Sequence, residues 1–240
     1  MRLLVTRPEP DAGREAEVIA ARGHEPVLAP LLEIEFGSAA LPLAGAQGLA
    51  ATSRNAIRAL AVHPDRDEAL KLPLIAVGDA TARAAQELGF ATVTIGPGTA
   101  PELAALIARD VEPKEGPLVH LAGETPAFDL EAALAAQGFA MRKAVLYRAV
   151  PVDALPAQAL DLLAAGRLDG VILMSPRTAR TFAALVAKHG VVTQAQGLVC
   201  YCLSEAVAEA VAPLGCEVPV AARPREEDIL ALLDAETASS

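Results

Sequence analysis

The 240-residue chain is 53% hydrophobic but only 3% aromatic and has no tryptophan, so its core must be built from Ala, Leu and Val. That length suits two domains of about 100–120 residues better than one. A net charge of −10 argues against a general nucleic-acid binder, which would carry a basic face. No apolar run reaches the roughly 20 residues of a membrane span, and the start "MRLLVTRPEP" lacks the apolar stretch of a signal peptide, so a soluble cytoplasmic protein is expected.

In chain order, "LLVT" at 3–6 reads as a buried strand and "PDAGREAEVIAARG" as a helix that stops at Gly23. "EPVLAP" is a second short strand. "LLEIEF", 31–36, alternates apolar and acidic residues, which predicts an extended segment with one wet face. "QGLAATSRNAIRALAV" runs from strand into helix. "PLIAVGDATARAAQELGF", "TVTIGPGTAPELAALIARD" and "PLVHLAGETPAFDLEAALAAQGF" repeat that scheme. "MRKAVLYRAVP" is long, extended and partly charged. A further series follows in "GVILMSPRTARTFAALVAKHG", "LVCYCLSEAVAEAVAPLGC" and "VPVAARPREEDILALLD", and the tail "ETASS" is expected to fray. Strands alternating with helices predict right-handed crossovers and parallel sheets.

The units recur at nearly constant spacing. Ser53 pairs with Ser175, Gly89 with Gly215, Leu103 with Ile229, and the unit closing at Gly23 resembles the one closing at Gly138. This predicts a tandem duplication, giving an α/β fold of two similar domains, each a parallel sheet flanked by helices. Two divisions of the chain remain open: 1–110 against 118–240, or a split arrangement. In the latter, 37–148 forms one domain and the two outer pieces, 1–35 and 152–240, form the other. "LLEIEF" and "AVLYRAV" would then be a pair of antiparallel connectors, at about 31–38 and 146–152. Their length and mixed polarity favour the split arrangement slightly.

Ligands of parallel α/β sheets sit at the carboxyl ends of the strands. The corners there are "TRPEP", "TSRNA", "VGDATA", "IGPGTA", "AGETPA", "MSPRTA" and "CLSEA". Their Ser, Thr, Gly and Asp content is what helix N-capping requires, and capping is the plain reading of any one corner. "TSRN" and "SPRT", however, place hydroxyl and Arg together at equivalent points of the two halves. A helix start with unpaired N–H groups favours carboxylates or phosphates, and Arg7, Arg54 and Arg177 would add bidentate contacts. The plain reading of these arginines is solvated side chains.

Several chemistries lack their motifs. There is no GxGxxG after a strand, no GxxxxGK[ST] and no GxSxG, and no Ser–His–Asp set is evident. Cys200, Cys202 and Cys216 have no zinc spacing, and the alternation in "CYC" puts two of these thiols on one strand face. His24, His63, His120 and His189 are scattered, so no metal site is predicted. Tyr147, one of two tyrosines, lies in the charged connector "LYRAV". It reads either as an amphipathic residue on a hinge strand or as a phenol at the mouth of a cleft.

"LLVTRP", "TSRNAI", "AVGDATARAAQELGF", the Gly123 corner, "VLYR" and "ILMSPRTA", in this order and spacing, resemble the uroporphyrinogen-III synthase family over nearly the whole chain. The resemblance implies two α/β domains joined by a two-stranded connector, the first domain discontinuous. It implies cyclisation of the linear tetrapyrrole hydroxymethylbilane to uroporphyrinogen III in an interdomain cleft, with ring D inverted, water lost, and no cofactor or metal. Tyr147 falls on the family's tyrosine, the favoured candidate to help the hydroxyl depart. Thr81 falls on the threonine of its corner, and Ser53 and Ser175 on the corner serines. Asn55, Arg54, Arg177, Arg7 and Gly123 complete the expected substrate-binding set, with Ser204 standing near the place where the family often has Thr and this chain has Ala206. The Arg that often follows the Gly123 corner is replaced by Ala127 and Phe128. A monomer is expected, with transient contact to the bilane-producing deaminase. The alternative is a non-catalytic binding protein or sensor for a polyanionic metabolite, or an inactive paralogue.

Overall fold

The computed structural model describes residues 1–237. The chain opens with β1 (Arg2–Val5), α1 (Asp11–Ala21) and β2 (Glu25–Leu28), followed by β3 (Leu32–Phe36). Next come β4 (Gly48–Ala51), α2 (Arg54–Ala61), α3 (Arg66–Ala69), β5 (Leu74–Ala76), α4 (Asp79–Leu88), β6 (Val93–Ile95) and α5 (Ala100–Asp110). β7 (Leu118–Gly123), α6 (Leu130–Ala135) and the long β8 (Met141–Pro151) complete the middle. The last stretch holds α7 (Ala157–Ala164), β9 (Gly170–Leu173), α8 (Pro176–Lys188), α9 (Val192–Ala195), β10 (Val199–Cys202), α10 (Glu205–Val211) and α11 (Glu226–Thr237).

These elements form two compact units, one of Met1–Glu33 with the chain from Val150 onward, the other Ile34–Ala149. In the contiguous unit the strand order is β3-β8-β7-β4-β5-β6. β8, β7, β4, β5 and β6 run parallel. The β3–β8 pairing is antiparallel, since Gly37 N–H donates to Leu146 O at 2.7 Å and Val152 N–H to Leu31 O at 3.1 Å. Strand side chains alternate between two apolar layers. Leu49, Ala51, Leu74, Ala76, Val119 and Leu121 pack with α2 and α4. Ala50, Ile75 and Leu118 pack on the other side with α5 and α6. Small residues such as Ala50, Ala51 and Ala76 let helices lie close to the sheet, while each fully buried Leu contributes about 1.5–3 kcal/mol.

The split unit has an all-parallel sheet, ordered β10-β9-β1-β2. Leu4, Val171, Cys200 and Cys202 face α7, α8 and α10, whereas Leu3, Val5, Ile172 and Tyr201 face α1 and α11. The two thiols of "CYC" therefore do share one face. Residues 217–220 meet the sheet edge through isolated bridges, Val199 with Glu217 and Cys202 with Val220, and Val218 and Val220 pack on its apolar layer, instead of forming the strand suggested by "VPVAARP". α7 has no counterpart among the helices read from the sequence. α11 runs to Thr237, into the tail expected to fray, and the rest of that tail lies outside the described residues.

The two sheets share one spatial plan. β9, β10, residues 217–220, β1 and β2 occupy the places of β4, β5, β6, β7 and β8, with α8, α10, α11 and α1 replacing α2, α4, α5 and α6. The paired landmarks of the sequence fall on equivalent features. Ser53 and Ser175 both cap helices, and Gly89 and Gly215 close equivalent helical segments with φ of 113° and 74°.

Glu15 breaks the apolar pattern of α1. It is 1% exposed, and neither carboxylate oxygen has a hydrogen-bond partner among the described residues. Burial raises its pKa from 4.5 to about 7, with Arg7 opposing the shift and Glu226 and Asp11 adding to it. The folded state thus holds this proton more tightly than the unfolded state. The stability that goes with it is present below pH 4.5 and is lost as pH rises toward 7, a change on the order of 3 kcal/mol. Glu15→Gln should therefore unfold at higher urea than the parent at pH 8, and the gap should close near pH 4.5. A gap of equal size at both pH values would contradict this account.

Candidate functional site

The carboxyl ends of the parallel strands converge in the contiguous unit on a recess of about 290 Å³. The strand order reverses between β4 and β7, and such a reversal is where parallel α/β sheets open a crevice. Thr52 and Ser53 after β4, Gly123 and Thr125 at the end of β7, and Tyr147 on β8 line it, with Val77, Gly98, Ala100 and Phe128 among the other walls. Ser53, Gly123 and Tyr147 of the expected set are thus brought together.

Tyr147 reaches this place through a β-bulge. Ala122 pairs with Val145 but Gly123 pairs with Tyr147, so one residue of β8 is skipped and the following side chain is re-aimed. The ring then lies on Gly123. A Cβ there would meet Tyr147 Cζ at 2.8 Å and its hydroxyl oxygen at 3.0 Å. Glu124 N–H donates to Tyr147 O at 2.9 Å and closes the corner. A second recess, about 230 Å³, also borders Tyr147, with Glu35, Phe36, Glu124 and Arg148.

Three helices open beside the first recess. Ser53 caps α2, its Oγ accepting from Asn55 N–H at 3.1 Å. Gly78 begins α4 and Thr99 caps α5. The "GPG" loop folds over the β5 end, with Gly96 N–H and Gly98 N–H donating to Ala76 O and Val77 O at 2.8 and 2.7 Å. Any Cβ on Gly96 would stand 2.6 Å from Ala76 O. The first-turn charges differ between these helices. α4 and α5 carry Asp79 and Glu102, which already offset the helix dipole. α2 carries no acid and has Arg54 and Asn55 instead, with Asn55 Oδ1 accepting from Arg58 at 2.7 Å. α8 of the split unit likewise has no first-turn acid. It starts with Arg177 after Ser175, whose Oγ accepts from Thr178 N–H at 3.1 Å and lies 2.8 Å from Thr178 Oγ1.

The remaining expected residues are placed as follows. Thr81 is buried in α4 and does not line the recess. Ser204 begins α10 without a side-chain capping bond. Arg7 ion-pairs with Glu226 at 2.9 Å and with Asp11 at 3.8 Å, so its guanidinium is already engaged by carboxylates. No cluster of three or more His, Cys, Asp or Glu is placed to hold a metal among the described residues. A larger recess, about 470 Å³, lies at the amino end of the split unit's sheet, among Met1, Arg2, His24, Glu25 and Asp169. Arg2 there pairs with Glu25 at 2.7 Å, and the site is at the opposite edge from the helix starts.

Sequence reasoning missed Thr52 and the residues behind it. His120 is fully buried, with Nε2 3.2 Å from Thr52 Oγ1 and Nδ1 2.6 Å from Glu131 Oε1. The signal available was a lone His inside the apolar strand "LVHLAG", with an acid in the first turn of the next helix.

Together the fold and recess define a doubly wound α/β protein with helix starts gathered at a topological switch point. The family described as Uroporphyrinogen-III synthase HemD matches residues 14–231. The chain belongs to the uroporphyrinogen-III synthase family, whose members serve porphyrin and heme biosynthesis. Among solved structures, uroporphyrinogen-III synthetase from Helicobacter pylori 26695 superposes with a TM-score of 0.69 at 16% identity, over 98% of each chain. A mutant uroporphyrinogen III synthase from Thermus thermophilus gives 0.52 at 18% identity, over 100% of each chain. At these identities the likeness is one of fold. No curated protein matches at the sequence level.

The packing of Tyr147 on Gly123 can be tested directly. Gly123→Ala should cost about 1–3 kcal/mol by overpacking. The cost should shrink when Tyr147→Ala removes the ring, so urea midpoints of the two single variants and the double variant should be non-additive. Additive losses would mean the ring does not rest there.

Proposed function

We propose that this chain cyclises hydroxymethylbilane to uroporphyrinogen III, inverting ring D and releasing water, with Tyr147 as the acid that helps the hydroxyl depart. One observation carries the reading. The tyrosine that matches the family's own lies on Gly123 in a recess where three helices open. The substrate bears eight carboxylates. The start of α2, uncompensated by any first-turn acid and flanked by Arg54, suits one of them, and the start of α8 with Arg177 offers the same chemistry. Departure of the hydroxyl leaves a cationic azafulvene, and a phenol can donate the proton that the leaving oxygen needs. The harder demand is regiochemical. The substituted α-carbon of ring D must attack first, giving a spiro intermediate, and this depends on positioning and preorganised polarity more than on acid strength.

Loss of water and carbon–carbon closure transfer no net electrons, so the step balances without a redox cofactor, and the proposal gives no role to a cofactor or metal. We infer also that residues 1–35 with 152–240 and residues 37–148 act as two domains, joined through 31–38 and 146–152. The enzyme would work as a cytoplasmic monomer, with transient contact to the deaminase that makes its substrate.

Purified protein given enzymatically generated hydroxymethylbilane should yield the type III isomer. Type I product alone, despite binding of the tetrapyrrole, would make this a binding protein. Tyr147→Phe should slow turnover about 10²-fold, the low end for a general acid, while keeping type III product. An unchanged rate would make Tyr147 structural. Product affinity should fall with added salt. Replacing Arg54 and Arg177 together by Ala should weaken it more than Arg109→Ala, since Arg109 stands in the last turn of α5, at the far end from its helix start. Affinity that is flat across ionic strength would rule out the electrostatic part of this reading.

A further inference from the structure

The hydrogen-bond chain behind Thr52 fixes the direction of one hydroxyl at the recess. An ionised carboxylate can only accept, so the 2.6 Å contact with Glu131 Oε1 places a proton on His120 Nδ1. His120 is fully buried, and burial holds its imidazole below the ordinary histidine value. That effect outweighs the upward pull of the Glu131 hydrogen bond and charge; Lys143 on β8 also lowers the value and Asp129 at the start of α6 raises it. The ring is then neutral at neutral pH, with its lone pair on Nε2. Thr52 must donate its single proton to Nε2 across 3.2 Å. What remains on Oγ1 is acceptor capacity alone. A carboxylate, itself an acceptor, gains nothing from such a group, whereas an N–H does.

We propose that Thr52 contacts the bound tetrapyrrole and accepts a hydrogen bond from a pyrrole N–H, and that His120 and Glu131 are positioning residues that fix its hydroxyl in that direction. The proposal rests on the function given above. It assigns the recess a division of labour, with helix starts taking carboxylates and Thr52 taking a ring nitrogen.

In ¹⁵N-labelled wild-type protein, nuclear magnetic resonance should find the neutral His120 ring protonated on Nδ1. A ring protonated on Nε2 would reverse Thr52 and overturn the proposal. This readout uses the unaltered chain, so a variant that fails to fold cannot hide the answer. In kinetics, Thr52→Val should lower kcat/KM about tenfold, the scale of one hydrogen bond to a buried polar group, and Thr52→Ser should restore most of it. His120→Gln should lower kcat/KM about fivefold alone and add nothing in the Thr52→Val background. Additive losses would make His120 merely structural. Glu131→Gln keeps an acceptor for Nδ1–H but removes the charge that raises the imidazole, so the acid limb of kcat/KM should move to lower pH. A limb that stays in place would break the proposed coupling. If the wild-type enzyme makes no type III product, the function itself fails, and the ring tautomer still decides which way Thr52 points.

Discussion

Burial of the parallel strands on both faces is the constraint from which the rest follows. Strands such as β4, β5 and β9 are fully covered by helices, so they cannot place a charged or polar side chain on either face without stranding it. Polar chemistry is pushed to the first residues beyond each strand, where the chain turns into a helix and needs capping groups anyway. The corners are rich in Ser, Thr and Gly for that reason, and the same backbone geometry that ends a strand creates a place for an anion. Capping and binding therefore do not compete. Ser53 satisfies Asn55 N–H and, with Thr52, also borders the recess.

What separates the corners from one another is charge. Helices that keep an acid in the first turn, such as α4, α5 and α10, carry their own counterion. α2 and α8 do not, and they are equivalent helices of the two duplicated units. An ancestral unit with that corner, copied once, is enough to produce two anion-attracting helix starts in a chain whose net charge is −10. The global charge and the local site point in opposite directions because a helix start acts within about one turn, whereas the acidic excess is spread over the surface.

Much of this was legible in the sequence because apolar alternation and helix periodicity are local signals. The strand-to-helix order and the equivalence of Ser53 with Ser175 can be read without coordinates, whereas an antiparallel pair of "LLEIEF" and "AVLYRAV" is only slightly favoured there. Tyr147 and Gly123 stand out separately. Their contact was not legible, because it depends on a bulge that skips one residue between two strands. The pairing of Thr52 with His120 was invisible for a related reason. The two lie 68 positions apart and meet only because β4 and β7 are neighbours in the sheet. By sequence Arg7 reads as a ligand contact or a solvated side chain; its ion pair with Glu226 was not legible, because Glu226 arrives from the far end of the chain. Residues 217–220 look like a strand by composition, yet their pairing with the sheet edge is limited to isolated bridges among the described residues.

The split unit also imposes an order on biosynthesis. A ribosome delivers Leu3, Leu4 and Val5 long before their neighbouring strand β9, Gly170–Leu173. The contiguous unit, Ile34–Ala149, emerges in between with all of its own sheet partners. The amino-terminal strands must therefore wait, with their apolar faces uncovered, while an entire neighbouring unit is translated and free to fold.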